Sequence, residues 1–320
     1  MNSCQQSGNL NEITETTLIE NTRLNSILRP LKQAIQVFSA NDPLRMAAAT
    51  AFFTIFALPP ILVIITQVLG LIVNDHIIRE VFQSLSSVIG KSSTVQITDT
   101  LKAIREMASN EYVTIIGMVI LIFVATNLFK IVKDSINQVW KIKMVAKQHF
   151  RGTMRSRWQA LIIIVFTGFL FLISILMEGM QTYLKEIVEE LLPWLAEFLN
   201  SAFSHIFSIL IVTTWFVIIF RYLPDGVPAW KVVIAGALFT SILFNIGKFL
   251  LRVLLLQSNI DSLYGASAAI VLLLLFVFYS SLILYFGASF TQAWADCHGT
   301  PIEPKPGAVR YKWVEITERG

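Results

Sequence analysis

The 320 residues are 55% hydrophobic and only 14% charged, with a mean hydropathy of +0.65, a balance that soluble globular domains do not reach. The formal net charge of +4 and sequence pI near 9.0 would point to nucleic acid in a soluble chain. In so apolar a chain, the Lys and Arg excess of cytoplasmic membrane loops accounts for the same surplus. Cys4 and Cys297 lie in polar end segments without ligand spacing, which argues against a disulfide framework or a zinc site.

Residues 1–22 are rich in Asn, Thr and Glu and lack periodicity, so they read as a disordered tail. Glu12, Glu15 and Glu20 interrupt any apolar core, so no secretory signal peptide is expected there. From Leu24 to Phe38, Leu24, Leu28, Leu31, Ile35 and Phe38 share one helical face. Such a helix lies on the cytoplasmic membrane surface or packs under a bundle. Asn41-Asp42-Pro43 restarts a helix, with a capping side chain followed by proline at the first helical position.

The membrane domain is expected over 23–294, with spans near 47–73, 113–129, 158–177, 203–220, 229–251 and 266–294. Pro59-Pro60 interrupts the first span and predicts either a kink or part of a cavity wall. Between spans one and two, Ile77, Ile78, Val81, Phe82, Leu85, Val88 and Ile89 form an apolar face, read as interfacial helices. Lys130, Lys133, Lys141, Lys143, Lys147, Arg151, Arg155 and Arg157 face one acid, Asp134, which places that loop in the cytoplasm. Glu178, Glu186, Glu189, Glu190 and Glu197 against Lys185 suit the opposite side. The turn Arg221–Pro228 returns to the basic side, where Trp230 fits an interfacial anchor. After Tyr264-Gly265, a hinge or a plain aromatic turn, the last span runs uncharged for about 25 residues, long enough to cross a ~30 Å hydrocarbon core. Its clusters Gly265–Ala269 and Gly287-Ala288-Ser289 permit close helix approach. The segment 295–320, with Lys305, Arg310, Lys312 and Arg319, reads as a cytoplasmic tail. Both termini are thus expected in the cytoplasm.

Three stretches carry a resemblance. NDPLRMAAATAFFTIFALPPILVIITQVLG, RYLPDGVPAWKVVIAGALFTSILFNIGKFL and SLYGASAAIVLLLLFVFYSSLILYFGAS are similar to the first span, the turn with the fifth span, and the last span of the YihY/BrkB family of bacterial inner-membrane proteins. The Tyr-Leu-Pro-Asp and Leu-Tyr-Gly signatures make the resemblance specific, over roughly Leu24 to Trp294. It implies a six-helix bundle in the bacterial cytoplasmic membrane whose activity is unsettled. The family's last span usually ends Gly-Ala-Glu; here Ser289 stands in the carboxylate's place, which removes any role resting on that acid. The family once carried a ribonuclease label (ribonuclease BN). Metal-dependent hydrolysis needs clustered His and Asp, whereas His76, His149, His205 and His298 sit in separate segments. We therefore discount the nuclease, expect no metal or other cofactor, and expect no nucleic-acid partner.

The best binding candidate is Ser241, Asn245, Lys248 and Arg252, which at ~100° per residue fall within about 60° on one face of the fifth span. Charge inside a span costs roughly 2.5–3.5 kcal/mol on insertion scales, so such residues line a cavity, here one for a lipid phosphate, or snorkel to the interface. A second stripe, Asn127, Lys130, Asp134 and Asn137, lies on one face of the second span, where Lys130 and Asp134 also form an i,i+4 pair. With no Ser/His/Asp arrangement and no Gly-rich phosphate loop, an enzyme is not expected. The sequence reads as an all-α polytopic membrane protein of six transmembrane helices with amphipathic interfacial helices. Its expected function is transport or handling of an anionic envelope amphiphile among membrane lipids. The rival is a scaffold without a substrate path.

Overall fold

The computed structural model describes residues 28–72, 111–145, 193–257 and 268–312, together with helical positions 166, 169, 170 and 173. The expected tail 1–22, the interfacial stretch 74–110, most of the span 158–177, the acidic loop as far as residue 192 and Tyr264-Gly265 lie outside the described residues, while Glu197, read as loop, belongs to a helix that begins ten residues before the expected span at 203. Six described helices dominate: α1 (28–39), α2 (Pro43–Ile72), α3 (Glu111–Val139), α4 (Pro193–Tyr222), α5 (Trp230–Gln257) and α6 (Ala268–Cys297). Ile115–Val139, Trp230–Leu251 and Ile270–Cys297 are each long and apolar enough to cross a membrane. Pro43–Ala57 and Ile206–Tyr222 are shorter apolar runs. The α2 backbone is helical without interruption through Pro59-Pro60. Proline removes a donor and crowds the preceding turn, yet a spanning helix tolerates it when neighbouring groups take up the freed carbonyls.

Short strands, which hydropathy did not foretell, cluster beside the helix ends: β1 (Ile142–Met144), β2 (Gly226–Val227), β3 (Glu303–Pro304) and β4 (Ala308–Arg310). β1 pairs antiparallel with β4, Lys143 opposite Val309, and β2 with β3, Val227 opposite Glu303. The segment read as a tail therefore folds back onto two separate turns. Lys141 makes the first of these possible, taking the left-handed region (φ 55°) just beyond α3, a common way to end a helix.

The chain divides into two compact units. Among the described residues, one gathers 28–43, 133–145, 193–248 and 282–312, with positions 166, 169, 170 and 173; the other gathers 44–72, 111–132, 249–257 and 268–281. In the first, α1 buries Ala34 beside Phe290 and Ala293, with Leu31, Phe239, Phe286 and Trp294 packed around them. Phe239 stacks on Phe290 at 3.9 Å between centroids, and Phe38 meets Phe286 edge-on at 5.3 Å. Leu28 and Ile35, expected on the same face as Leu31, are instead exposed beside Arg29 and Lys32. α1 thus packs one side on α6 and leaves an apolar, basic side outward. Asn41 caps α1 backward, its amide donating to Val37 O at 2.7 Å.

Small residues set the approach of α5 and α6. A Cβ at Gly236 would collide with Thr291 Oγ1, and one at Gly287 with Thr240 Oγ1. Each threonine in turn donates to the glycine carbonyl one turn back in its own helix, Thr240 to Gly236 O at 2.6 Å and Thr291 to Gly287 O at 2.7 Å. The two Gly-x-x-x-Thr segments are therefore reciprocal. Each hydroxyl is satisfied within its own helix, and the same oxygen sits in the notch that the opposite glycine leaves. Ser289 is fully buried and likewise donates to Tyr285 O at 2.9 Å.

Candidate functional site

Two polar clusters stand inside the first unit. One is the face expected on the fifth span. Its outer side is lipid-like: Ile234, Leu238, Ile242, Ile246 and Leu250 are exposed at four-residue intervals along α5. The opposite side carries Val233, Ala237, Thr240 and Ser241, all buried. The polar stripe lies on the flank between these two sides, with Ser241 buried and Asn245 and Lys248 half-buried, and its hydrogen bonds run to α4.

There the side chains form a ladder. Ser241 Oγ donates to Ile209 O at 2.9 Å, an oxygen that also accepts from Thr213 Oγ1 at 2.7 Å. Asn245 Nδ2 donates to Ser241 O at 2.9 Å, leaving its Oδ1 to accept from Ser208 Oγ at 3.2 Å. Lys248 Nζ approaches Ser208 Oγ at 3.4 Å and lies 5.5 Å from the centroid of the Phe244 ring. Phe244 is one turn nearer the middle of the span, so the ammonium bends back along the helix rather than outward. Among the described residues, Lys248 meets a neutral hydroxyl and a ring face but no carboxylate. Arg252 continues the α5 backbone one turn on, and its side chain lies outside the described ones.

The second cluster was not foreseen. Asp225, in the turn between α4 and α5, is buried, and each of its four hydrogen-bonding groups is used. Oδ1 pairs with Lys133 Nζ at 2.8 Å and Oδ2 accepts from Asn137 Nδ2 at 2.8 Å. Its backbone N–H donates to Asn137 Oδ1 at 2.8 Å, and its carbonyl accepts from Lys305 N at 2.7 Å. The Lys133 and Asp225 side chains keep only 12% and 8% of their surface exposed. Lys305 Nζ donates to Pro224 O at 2.6 Å and Tyr222 O at 3.2 Å, satisfying carbonyls at the C-terminus of α4. Nearby, Trp140 is fully buried with its indole N–H donated to Ala288 O at 3.0 Å. Arg221 lies over the Trp230 ring at 5.0 Å and donates to Pro228 O.

The sequence stripe on α3 looks different in the fold. Lys130 and Asp134 are exposed and Asn127 is half-buried, while Asn137 reaches the interior. The inward cation of this helix is Lys133, one turn before Asn137, and both reach the same carboxylate. Tyr222-Leu223-Pro224-Asp225 had already stood out as a signature, but read as a turn its aspartate carried no role. Among the described residues, no three His, Cys, Asp or Glu side chains come together to hold a metal ion.

The family model described as Virulence factor BrkB matches residues 34–312, most of the chain. The chain belongs to that family. It is similar to a UPF0761 membrane protein of Chromohalobacter salexigens, 27% identical over 289 residues, covering 87% of this chain and 65% of the relative. It is also similar to UPF0761 membrane proteins of Chromobacterium violaceum (25% identical, 78% of this chain and 58% of the relative) and Teredinibacter turnerae (21%, 90% and 65%). This BrkB-family chain thus spans 58–65% of the length of these curated relatives. No solved structure matches it. With its long apolar helices, it is an integral membrane protein. Both clusters fall inside the family match.

Proposed function

We propose that this BrkB-family protein is a non-enzymatic transporter or lipid-handling protein of the bacterial inner membrane, acting on an anionic envelope amphiphile. In this reading six spans cross the bilayer, both termini are cytoplasmic, and the ladder between α4 and α5 receives the anionic head. One observation carries it: Lys248 turns back along its span to a neutral hydroxyl at 3.4 Å and a ring face, with no carboxylate among the described residues to balance it. A cation so placed is costly in hydrocarbon and gains most from a phosphate or carboxylate brought in by a ligand. Ser208 and Asn245 supply further polar groups, and the outward apolar face of α5 suits acyl chains.

The test is lipid retention by purified protein in nanodiscs of phosphatidylcholine doped with phosphatidic acid, followed by native mass spectrometry. Wild type is expected to retain phosphatidic acid over phosphatidylcholine. Lys248→Gln is expected to lower that retention about tenfold, equivalent to roughly 1.4 kcal/mol. Equal retention by both proteins would leave Lys248 an interfacial anchor and favour the scaffold.

A further inference from the structure

The helices that flank the ladder, α4 and α5, are consecutive, and the turn joining them holds Asp225. That hairpin is fastened very differently at its two ends. At the turn, four short contacts of 2.7–2.8 Å converge on Asp225, from α3 through Lys133 and Asn137 and from the C-terminal segment through Lys305. Fourteen residues before the end of α4 at Tyr222, about 21 Å along the helix axis, the ladder closes through Ser208–Asn245 at 3.2 Å and Lys248–Ser208 at 3.4 Å, with Ser241–Ile209 at 2.9 Å. The strong fastening is thus at the turn and the weak one at the ladder.

The chemistry of the strong end is also distinctive. A buried ion pair rarely holds a fold together better than apolar side chains of the same size. What it offers instead is directionality and the ability to let go, since its partners can be hydrated once separated. Lys133 and Asp225 lie just under the surface, so water reaches them after a small displacement. The segment that covers them is held beside Asp225 by two-residue strands, β2 and β3, and by Lys305 Nζ on the carbonyls of Tyr222 and Pro224, while farther on β4 anchors it to β1.

We infer that Lys133, Asn137, Asp225 and Lys305 form a latch that keeps the α4–α5 hairpin closed, and that its release lets the two helices part at the ladder. The C-terminal segment 303–310 is the strap of this latch: when β3 leaves β2, the Asp225 carbonyl loses Lys305 N and the α4 carbonyls lose Lys305 Nζ. Freed on that side, the turn depends on α3 alone. Opening then uncovers Ser208, Asn245 and Lys248. The ligand thereby admitted rests on the function proposed above, but the latch itself does not.

Hydrogen exchange of backbone amides, read by mass spectrometry on the full chain in nanodiscs without added ligand, tests it. Lys305→Ala removes the strap's side-chain hold, and Lys133→Met removes the charge partner while keeping side-chain length. Each is expected to speed exchange about tenfold in peptides covering 205–215 and 238–248, the response to losing a charge-assisted hydrogen bond that limits a local opening. Val227→Cys/Glu303→Cys in a Cys4→Ser/Cys297→Ser background, oxidised to bridge β2 to β3, is expected to abolish the effect of Lys305→Ala. Faster exchange confined to 222–228 and 300–310, with the ladder peptides at the wild-type rate, would overturn the latch and leave a local structural staple. Lys305→Ala leaves the ion pair in place, so a failure of Lys133→Met to fold would not remove the test. Faster ladder exchange without phosphatidic acid selectivity would keep the latch and reject the transport reading. The converse result would do the opposite.

Discussion

Lys133 and Lys248 both turn inward from spanning helices, and the protein treats them in opposite ways. Lys133 meets a buried carboxylate at 2.8 Å, and that carboxylate is itself held by Asn137. Lys248 meets a serine hydroxyl at 3.4 Å and the face of Phe244. A charge whose partners are all supplied by the chain is committed to structure. One left with neutral neighbours has attraction in reserve for a ligand. The two lysines therefore separate a fastening from a candidate site within a single compact unit.

The largest expected effect attacks the fastening. Asp225→Ala leaves Lys133 facing a site without its counter-charge and removes an acceptor from Asn137, so stability should fall by about 3–5 kcal/mol. The midpoint of thermal unfolding in detergent measures it. Lys133→Met should cost a similar amount because it strands the carboxylate. Lys133→Met/Asp225→Ala leaves no lone charge and should recover part of the loss. A double variant as unstable as the sum of the singles would mean that the two residues act independently and that the pair is incidental.

How much of this was legible beforehand differs between the two lysines. The ladder's α5 side was legible, because Ser241, Asn245 and Lys248 share a face by helical periodicity alone. Its α4 side was not: Ser208 sits in an apolar helix among hydroxyls such as Thr213 and Thr214, which satisfy themselves on the carbonyl four residues back. Asp225 was visible as a charge in a turn, but Lys133 was one of eight cations in a segment whose topology already explained its charge. Nothing local separates the inward cation from the exposed Lys130 three residues before it. The helices themselves were plain from their apolar runs. Strands of two or three residues fall below any periodicity, and only their partners in the fold define them.

A middle-sized effect is expected where no charge is involved. Gly287→Ala places a methyl against Thr240, and Gly236→Ala places one against Thr291, so each should lose about 1–3 kcal/mol from overpacking. Alanine's better helix propensity offsets up to about 1 kcal/mol of that loss. Pairing Gly287→Ala with Thr240→Ala removes the colliding side chain and should restore much of the stability. If the pair is no better than Gly287→Ala alone, the glycine matters for its backbone and not for the approach of α6 to α5. Losses here should leave phosphatidic acid retention per folded molecule unchanged, which distinguishes packing from binding.

The smallest effect on stability is expected at the other lysine, and its smallness is informative. Lys248→Met removes a long contact to Ser208 and a distant ring interaction, with no carboxylate left behind unpaired among the described residues. It also relieves the desolvation of an ammonium on an apolar helix. The two terms oppose each other, so the unfolding midpoint should correspond to a change within about 1 kcal/mol of wild type. Lys133→Met, the same chemical change in the same assay, should cost several times more. That ratio sharpens the contrast between the two sites, because a general effect of removing a lysine from a spanning helix would move both variants alike. Should Lys248→Met prove as damaging as Lys133→Met, Lys248 would be a structural cation like its counterpart, and an anionic head at the ladder would have no charge reserved for it.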